Sequence, residues 1–236
     1  MKWIIEFLLS SLGKKLIMSL TGLFLCLFLV VHMLGNLQLF LPSPEGMPEG
    51  YVFNMYAYHM THSSLIKIIS YGNYFFILLH ALQGILITVY NRKAKGGKYQ
   101  GKGVSDTAAK MASRNMIFLG VLLLAFIGLH MYQFWAQMHF NSEMPVMAGI
   151  IEDGEEVKDL FAIVSVAFKQ PWVVIVYLIS LLALALHLVH GFWSAFQTMG
   201  LSNNKYGPII RFVAMAYAIL IPLGFATMPI VFFLFY

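Results

Sequence analysis

Histidines lie deep inside four long apolar stretches of this 236-residue sequence. They are His32, His80, His130 and His187, and a fifth, His190, follows His187 by one helical turn. An imidazole in hydrocarbon needs a hydrogen-bond or metal partner, because an unsatisfied polar group there costs several kcal/mol. The chemistry open to such side chains is metal ligation or proton transfer. For any one histidine alone, a structural imidazole bonded to a neighbouring helix is equally compatible with the sequence.

The composition indicates an integral membrane protein that carries these histidines on helices. The sequence is 60% hydrophobic and 11% charged, whereas soluble domains carry about 25% charged residues. Five apolar stretches have the roughly 20 residues that a helix needs to cross a bilayer. These stretches are Leu16–Phe40, Ile68–Tyr90, Met116–Met138, Trp172–Ala195 and Phe212–Phe235. We expect the first to be a retained helix, since it is too long for a signal peptide and lacks a small-residue cleavage site.

Basic residues are distributed unevenly between the two sides of these spans. Three precede the first span, seven lie between the second and third, and two lie between the fourth and fifth, against three on the opposite side. The positive-inside rule then predicts a cytoplasmic N-terminus and an external C-terminus. Orientation in the membrane therefore accounts for the net charge of +5, and no nucleic-acid partner is expected.

The depth of each histidine follows from the rise of 1.5 Å per helical residue. Counted from the cytoplasmic end, His32 and His130 lie roughly 24 and 21 Å deep, and His80 and His187 roughly 15 and 12 Å deep. Each level thus holds two imidazoles from different helices, the arrangement that bis-histidine ligation of two stacked b haems requires. We predict an outer pair, His32 and His130, and an inner pair, His80 and His187.

The predicted fold is therefore all-α, a single membrane domain over residues 1–236. Five transmembrane helices are expected, and four of them form a bundle around the two haems. The only cysteine, Cys26, excludes an internal disulfide and a CxxC metal site. No CxxCH motif is present, so the haems would be held without thioether bonds.

Glycines share one depth on the four histidine-bearing helices, about 6 to 9 Å from the cytoplasmic boundary. They are Gly22, Gly84, Gly120 and Gly191. Their missing side chains would leave room for a flat group beside the inner histidines, although small residues also favour ordinary helix packing in membranes. A glycine follows His80 by four residues, and another follows His187 by four residues. We therefore prefer His187 to His190 as the ligand. His190 is then a candidate partner for a haem propionate or a lipid headgroup.

Four segments carry this pattern: "TGLFLCLFLVVHMLGN", "FFILLHALQGI", "GVLLLAFIGLHMYQF" and "HLVHGFWSAFQTMGL". With five spans and one histidine in each of four, the chain resembles, over essentially its whole length, a known family. This is the dihaem cytochrome b subunit, the b558-type membrane anchor, of succinate dehydrogenases and fumarate reductases. The resemblance implies that His32, His80, His130 and His187 are the axial ligands. The family pattern of ligand, three residues and glycine supports His187 over His190.

The family also implies partners and a location. A flavoprotein and an iron–sulfur subunit on the cytoplasmic face would carry out the dicarboxylate chemistry. The anchor, a multi-pass protein of the bacterial cytoplasmic membrane, would exchange electrons with a quinone, expected to be menaquinone. Fumarate reductases that couple proton movement to electron transfer have a glutamate where this chain has Ala185, and no span contains a carboxylate. The departure favours a succinate dehydrogenase role.

Further contacts are predicted on either side of the membrane. His59 and His62 in "YAYHMTHSS" are candidates for an outer quinone pocket, whereas His139 is expected to be solvated. Glu45 and Glu49 are the candidates for the quinone-site carboxylate of the family. These residues belong to the segment "LPSPEGMPEGYVFNMYAYHMTHSS" between the first two spans, whose prolines and glycines predict a loop or a short interfacial helix.

The basic loop "NRKAKGGKYQGKGVSDTAAKMASR" is expected to dock the iron–sulfur subunit, although solvated basic loops are ordinary on this side of a membrane. Candidate propionate partners are Arg92, Lys93, Arg114, Lys15 and Ser19.

Two alternatives remain open on the sequence. Other respiratory cytochromes b, from nitrate reductase, formate dehydrogenase or hydrogenase, also use paired histidines, but cluster them in fewer spans. A haem-free transporter with a histidine proton relay is the other; such relays usually recruit Asp or Glu within the spans, and none is present here.

Overall fold

The structure is a computed structural model that describes residues 2–94 and 108–236, without the side chains of Arg92, Ala94 and residues 108–114. Long helices dominate it. The helices are α1 (Lys2–Leu9), α2 (Ser11–Asn36), α3 (Tyr51–His62), α4 (Ser64–Ala94), α5 (Ala108–His130), α6 (Ala136–Phe140), α7 (Leu160–Phe168), α8 (Pro171–Thr198) and α9 (Gly207–Phe235). A 3₁₀ turn, Leu37–Phe40, extends α2, and a π-helical turn, Met131–Trp135, joins α5 to α6.

Five of the described helical segments are long and apolar enough to cross a membrane, which confirms the predicted spans. They are Ser11–Phe40, Ser64–Asn91, Asn115–Phe140, Pro171–Thr198 and Gly207–Phe235. On α8 the exposed side chains include Trp172, Ile175 and Ile179, whereas Val173 and Tyr177 are buried. An apolar side chain on the exposed face as well as the buried face is typical of a helix in lipid, and the protein is a multi-pass membrane protein.

Helix α3 occupies the segment for which the sequence predicts a loop or a short helix. It begins after Gly50, whose φ of 75° lies in the left-handed region. A Cβ at this position would overlap the ring of Phe161, so both the backbone conformation and the close approach require glycine. Asn54, which is fully buried, then ties α3 to the start of α7 by donating to Asp159 Oδ1 at 2.8 Å and accepting from Phe161 N at 2.9 Å.

A β-hairpin follows α6, and the all-α prediction did not include it. Strand β1 (Val146–Glu152) pairs antiparallel with β2 (Glu155–Lys158). The turn residues Asp153 and Gly154 both have positive φ, 50° and 83°, as a two-residue type I′ turn requires. The hairpin packs on α3, because Tyr58 Oη donates to Glu152 O at 3.0 Å and the fully buried Val157 contacts Tyr58.

The chain divides into two compact units. Unit 1 consists of Met1–Leu29, Asn73–Leu124 and Leu182–Pro222, so far as these are described, and unit 2 of Val30–Gly72, Ala125–Leu181 and Leu223–Tyr236. In unit 1, Cys26, Leu188 and Ala218 form a buried cluster, and Tyr217 Oη donates to Cys26 O at 2.5 Å. Unit 2 has a larger, aromatic cluster of buried residues: Leu39, Phe53, Phe161, Val164, Phe168, Val173, Tyr177, Met228 and Phe232. The prediction of a single membrane domain stays a prediction.

Candidate metal centres

Unit 2 brings His32 of α2 and His130 of α5 together. Their ring centroids are 5.8 Å apart and their planes are nearly perpendicular, at 89°. Aromatic rings surround the two imidazoles: Phe225 lies 5.6 Å from His32, and Phe134 lies 5.4 Å from His130, centroid to centroid. The pair therefore lies among large apolar side chains, although both histidines are partly exposed.

The ring of His130 begins a hydrogen-bonded chain. Its Nδ1 lies 3.2 Å from the hydroxyl of Tyr177 on α8, and that hydroxyl donates to Gln133 Oε1 at 2.8 Å. Gln133 lies in the π-helical turn directly after His130, and single π turns within α-helices occur frequently at functional sites.

His32 has a different polar neighbour, the side-chain amide of Asn36. The amide nitrogen donates to the His32 carbonyl at 2.7 Å and lies 3.4 Å from both ring nitrogens. Because Asn36 follows His32 by four residues, one helical turn brings the amide alongside the imidazole.

Unit 1 holds the second pair, His80 of α4 and His187 of α8. The ring centroids are 6.2 Å apart, with 63° between the planes. Thr21 of α2 lies beside His80, with its Oγ1 3.1 Å from His80 Nδ1. The threonine hydroxyl also lies 2.8 Å from Ile17 O, to which it donates.

His187 Nδ1 is buried and has no hydrogen-bond partner among the described residues. A buried polar atom left without a partner costs about 1–3 kcal/mol. Either ring nitrogen of an imidazole is able to bind a metal, so this buried atom is compatible with a ligand at the pair.

Three of the four predicted glycines lie beside this second pair. A Cβ built on Gly22 would lie 3.2 Å from His80 Cε1, and one built on Gly120 or Gly191 would lie 4.0 Å from a His187 ring carbon. A Cβ at Gly84 would instead contact the terminal methyl of Met18, at 3.4 Å. The glycines thus form a cradle against the His80 and His187 rings, which larger side chains would fill.

The centroid separations of the two pairs, 5.8 and 6.2 Å, are compatible with two imidazoles bound to one metal. An imidazole nitrogen binds a transition metal at about 2.0–2.1 Å, so two imidazoles facing each other across one metal have ring centres roughly 6 Å apart. No group of three or more His, Cys, Asp or Glu side chains in the described part of the chain is arranged to hold a bare metal ion. A haem iron requires only two axial ligands, because the porphyrin supplies the others.

The residues predicted to contact the haem propionates lie in different surroundings. Lys15 and Lys93 are exposed, and His190 is half-buried on α8. Ser19 is buried, but its hydroxyl donates to Lys15 O at 2.9 Å. The side chains of Arg92 and Arg114, and most of the basic loop predicted to dock a partner, lie outside the described residues.

The histidines predicted for a quinone pocket are exposed and make local contacts. His62 stacks on Tyr58, with ring centroids 3.9 Å apart, and its Nε2 lies 3.3 Å from Glu155 Oε2. His59 also lies against Tyr58, and His139 stacks on Trp135 at 4.5 Å. The prediction that His59 and His62 line a quinone pocket stays a prediction.

An open cleft of about 470 Å³ lies elsewhere in unit 2. Its lining residues are Leu39, Phe40, Leu41, Pro42, Ser43, Met47, Glu49, Gly50, Phe161 and Tyr236. Glu49, one of the two predicted quinone-site carboxylates, is among them, whereas Glu45 does not line the cleft; both residues are exposed. Phe161 and Tyr236 were not predicted, because nothing in the sequence relates positions so far apart to this loop.

Comparison of the chain with protein-family models, with curated proteins and with solved structures finds no match. The two histidine pairs and their surroundings are therefore the basis on which a function is assigned.

Proposed function

We propose that this protein is the membrane anchor and cytochrome b subunit of a succinate:quinone oxidoreductase. One b haem would be ligated by His32 and His130, and the other by His80 and His187. The observation that carries the proposal is the pairing of four intramembrane imidazoles from four helices, at ring separations of 5.8 and 6.2 Å.

The haems, when bound, supply one-electron carriers. The chain's residues do the rest. Two imidazoles at each site would hold a haem from both sides, and a haem held in this way would serve electron transfer rather than binding of a small ligand. The rings of Phe126, Phe134 and Phe225 lie 5.4 to 6.0 Å from the His32 and His130 rings, centroid to centroid, and apolar surroundings of a metal site affect its potential.

The proposal assigns quinone exchange to the cleft that contains Glu49. Two of its lining residues, Leu39 and Phe161, belong to the same aromatic cluster as Tyr177, whose hydroxyl meets His130. Quinone reduction consumes protons, and the Glu49 carboxylate is a group at the cleft that is able to transfer them. His59 and His62 do not line this cleft, and their place in a quinone pocket stays a separate prediction.

The partners and orientation in the proposal are those of the family that the sequence resembles. The basic segments, including Lys14 and Lys15 before the first span, would lie on the cytoplasmic side. A flavoprotein and an iron–sulfur subunit would bind on that side. The protein would reside in a bacterial cytoplasmic membrane and use menaquinone or another quinone. Subunits that copurify with the tagged chain identify the complex, and those of a nitrate reductase, formate dehydrogenase or hydrogenase would contradict the proposal.

The first test is haem stoichiometry with a reduced-minus-oxidised spectrum of the purified protein. We expect two b haems per chain, loss of one signal in His130→Ala and loss of the other in His187→Ala. His139→Ala is the matched control, because His139 is exposed and contacts Trp135, and it should retain both haems. Full haem content in both ligand variants, or a wild-type protein without a Soret band, would reject the proposal.

A second test addresses the cleft. Glu49→Gln should lower quinone reduction by the assembled complex by roughly 100-fold or more, because a positioned acid–base group contributes at least that much to proton transfer. Haem content should not change. His59→Ala serves as the control, and an activity loss in His59→Ala with normal activity in Glu49→Gln would return the quinone site to α3.

A further inference from the structure

The hydroxyl of Tyr177 determines which nitrogen of His130 carries a proton. A phenol has one proton, and Tyr177 donates it to Gln133 Oε1 at 2.8 Å. The phenol oxygen therefore faces His130 Nδ1, 3.2 Å away, as an acceptor. It follows that Nδ1 of His130 carries the proton and that Nε2 keeps its lone pair for a metal.

Thr21 acts on His80 by the same logic. Its hydroxyl proton is donated within α2, to Ile17 O at 2.8 Å or to Met18 O at 3.1 Å. The threonine oxygen then accepts from His80 Nδ1 at 3.1 Å, and the backbone carbonyl of Met18 is a second acceptor for the same imidazole. His80 is thus held in the same tautomer as His130, although the hydroxyl comes from a different residue type on a different helix.

The second imidazole of each pair has different surroundings. His187 Nδ1 is buried without a hydrogen-bond partner among the described residues. His32 lies beside the amide nitrogen of Asn36, which is a donor group. The hydroxyl oxygens of Tyr177 and Thr21 thus each lie beside one imidazole of a pair, His130 and His80.

We propose that Tyr177, with its proton held by Gln133, and Thr21 are positioning residues that fix the tautomer of one ligand in each pair and lower the reduction potential of the iron it binds. The inference rests on the proposed haem ligation. A ring N–H that donates to an oxygen makes the other nitrogen more basic, and a more basic ligand favours the oxidised metal. Each hydroxyl would therefore tune its own haem.

Redox titration of the purified, haem-loaded protein tests this tuning. In Tyr177→Phe, which keeps the ring and removes the acceptor, the midpoint potential of one haem should rise and that of the other should stay unchanged. In Thr21→Val the other haem should respond. Tyr217→Phe is the matched control, because that hydroxyl donates to Cys26 O rather than to an imidazole, and neither potential should move.

The tautomer itself is measured without haem. Nitrogen-15 NMR of ring-labelled, haem-free full-length protein should show the proton of His130 on Nδ1 in the wild type. This measurement separates the inference from the proposed function: a chain that binds no haem would reject the function, while an Nδ1-protonated His130 would still support the hydroxyl chain.

Three results would overturn the inference. The first is a wild-type His130 that carries its proton on Nε2. The second is Tyr177→Phe with both haems bound and both potentials unchanged. The third is an equal shift in Tyr217→Phe, which would mean that any lost phenol hydroxyl has the effect. If Tyr177→Phe fails to fold, the wild-type NMR result and the Thr21→Val titration decide.

Discussion

The two histidine pairs present the same imidazole donors in opposite surroundings. Around His32 and His130, the described neighbours are large rings, including Phe126, Phe134 and Phe225. Around His80 and His187, glycines lie against the rings, with one prospective Cβ only 3.2 Å from an imidazole carbon, and Thr21 adds a hydroxyl 3.1 Å from His80 Nδ1. The His32–His130 pair is thus surrounded by large side chains, whereas the His80–His187 pair lies against positions that have no side chain.

This difference predicts which substitutions should disrupt each site. A ring held by aromatic packing loses its support gradually, because many contacts of about 0.1–0.2 kcal/mol each hold it. When a glycine against a ring is replaced by a larger residue, the new side chain clashes directly with that ring, because protein cores are close-packed. Substitutions near His32 and His130 should therefore weaken packing gradually, whereas substitutions of the glycines near His80 and His187 should displace an imidazole directly.

The largest effect is expected from Gly22→Val. The new Cβ would lie 3.2 Å from His80 Cε1, and the branched methyl groups would push the imidazole away from His187. The haem bound by this pair should be lost, and the haem bound by His32 and His130 should remain. Haem stoichiometry together with the reduced-minus-oxidised spectrum measures both.

Gly84→Val is the control for this change. Gly84 lies on α4 and faces the terminal methyl of Met18 rather than a ring, and an unbranched methionine adapts its shape. Both haems should be retained in this variant. If Gly22→Val also retained both, the glycine cradle would have no role in holding the pair.

An intermediate effect is expected from Phe168→Ala, on the aromatic side of the comparison. Phe168 is buried and packs at 5.1 Å from Tyr177 and 6.0 Å from Phe134, centroid to centroid. Truncation of such a side chain costs about 3–5 kcal/mol, so the thermal midpoint in detergent should fall clearly while haem still binds at low temperature. Phe140→Ala, at a residue that is 76% exposed, should leave the midpoint nearly unchanged; an equal fall in both would mean that the buried cluster does not support unit 2.

The sequence was sufficient for the spans, because hydropathy over some 20 residues dominates the free energy of a helix in lipid. It also predicted which histidine rings lie close together, since the helical rise is fixed and each depth follows from counting; their role as haem ligands stays a prediction. The hairpin was missed despite a usable signal, the Asp153–Gly154 dipeptide at a two-residue turn. The flanking strands do not alternate clearly between polar and apolar residues, so the dipeptide stood alone.

The hydrogen-bonding residues around the imidazoles were not predicted, for a different reason. Depth fixes the height of Tyr177 or Thr21 on its helix, but contact with a ring also depends on how the helix is rotated. Rotation is determined by packing against neighbours, and no local pattern reports it. The same applies to Asn54 and Asp159, which are hydrogen-bonded across 105 positions of sequence.

The smallest effect is expected from Gly224→Ala, which tests whether glycine is equally critical near His32. The new Cβ would overlap the sulfur of Met33, which follows His32 in α2, rather than an imidazole. Because a thioether moves easily, the cost should lie near the low end for overpacking, about 1 kcal/mol, with both haems retained. Gly128→Ala, where no atom lies within 4 Å of the new Cβ, provides the baseline for adding a methyl group to a helix of unit 2. A Gly224→Ala variant that lost the His32–His130 haem while Gly128→Ala kept it would show that this pair also depends on a glycine. The contrast between large side chains at one pair and glycines at the other would then no longer distinguish the two sites.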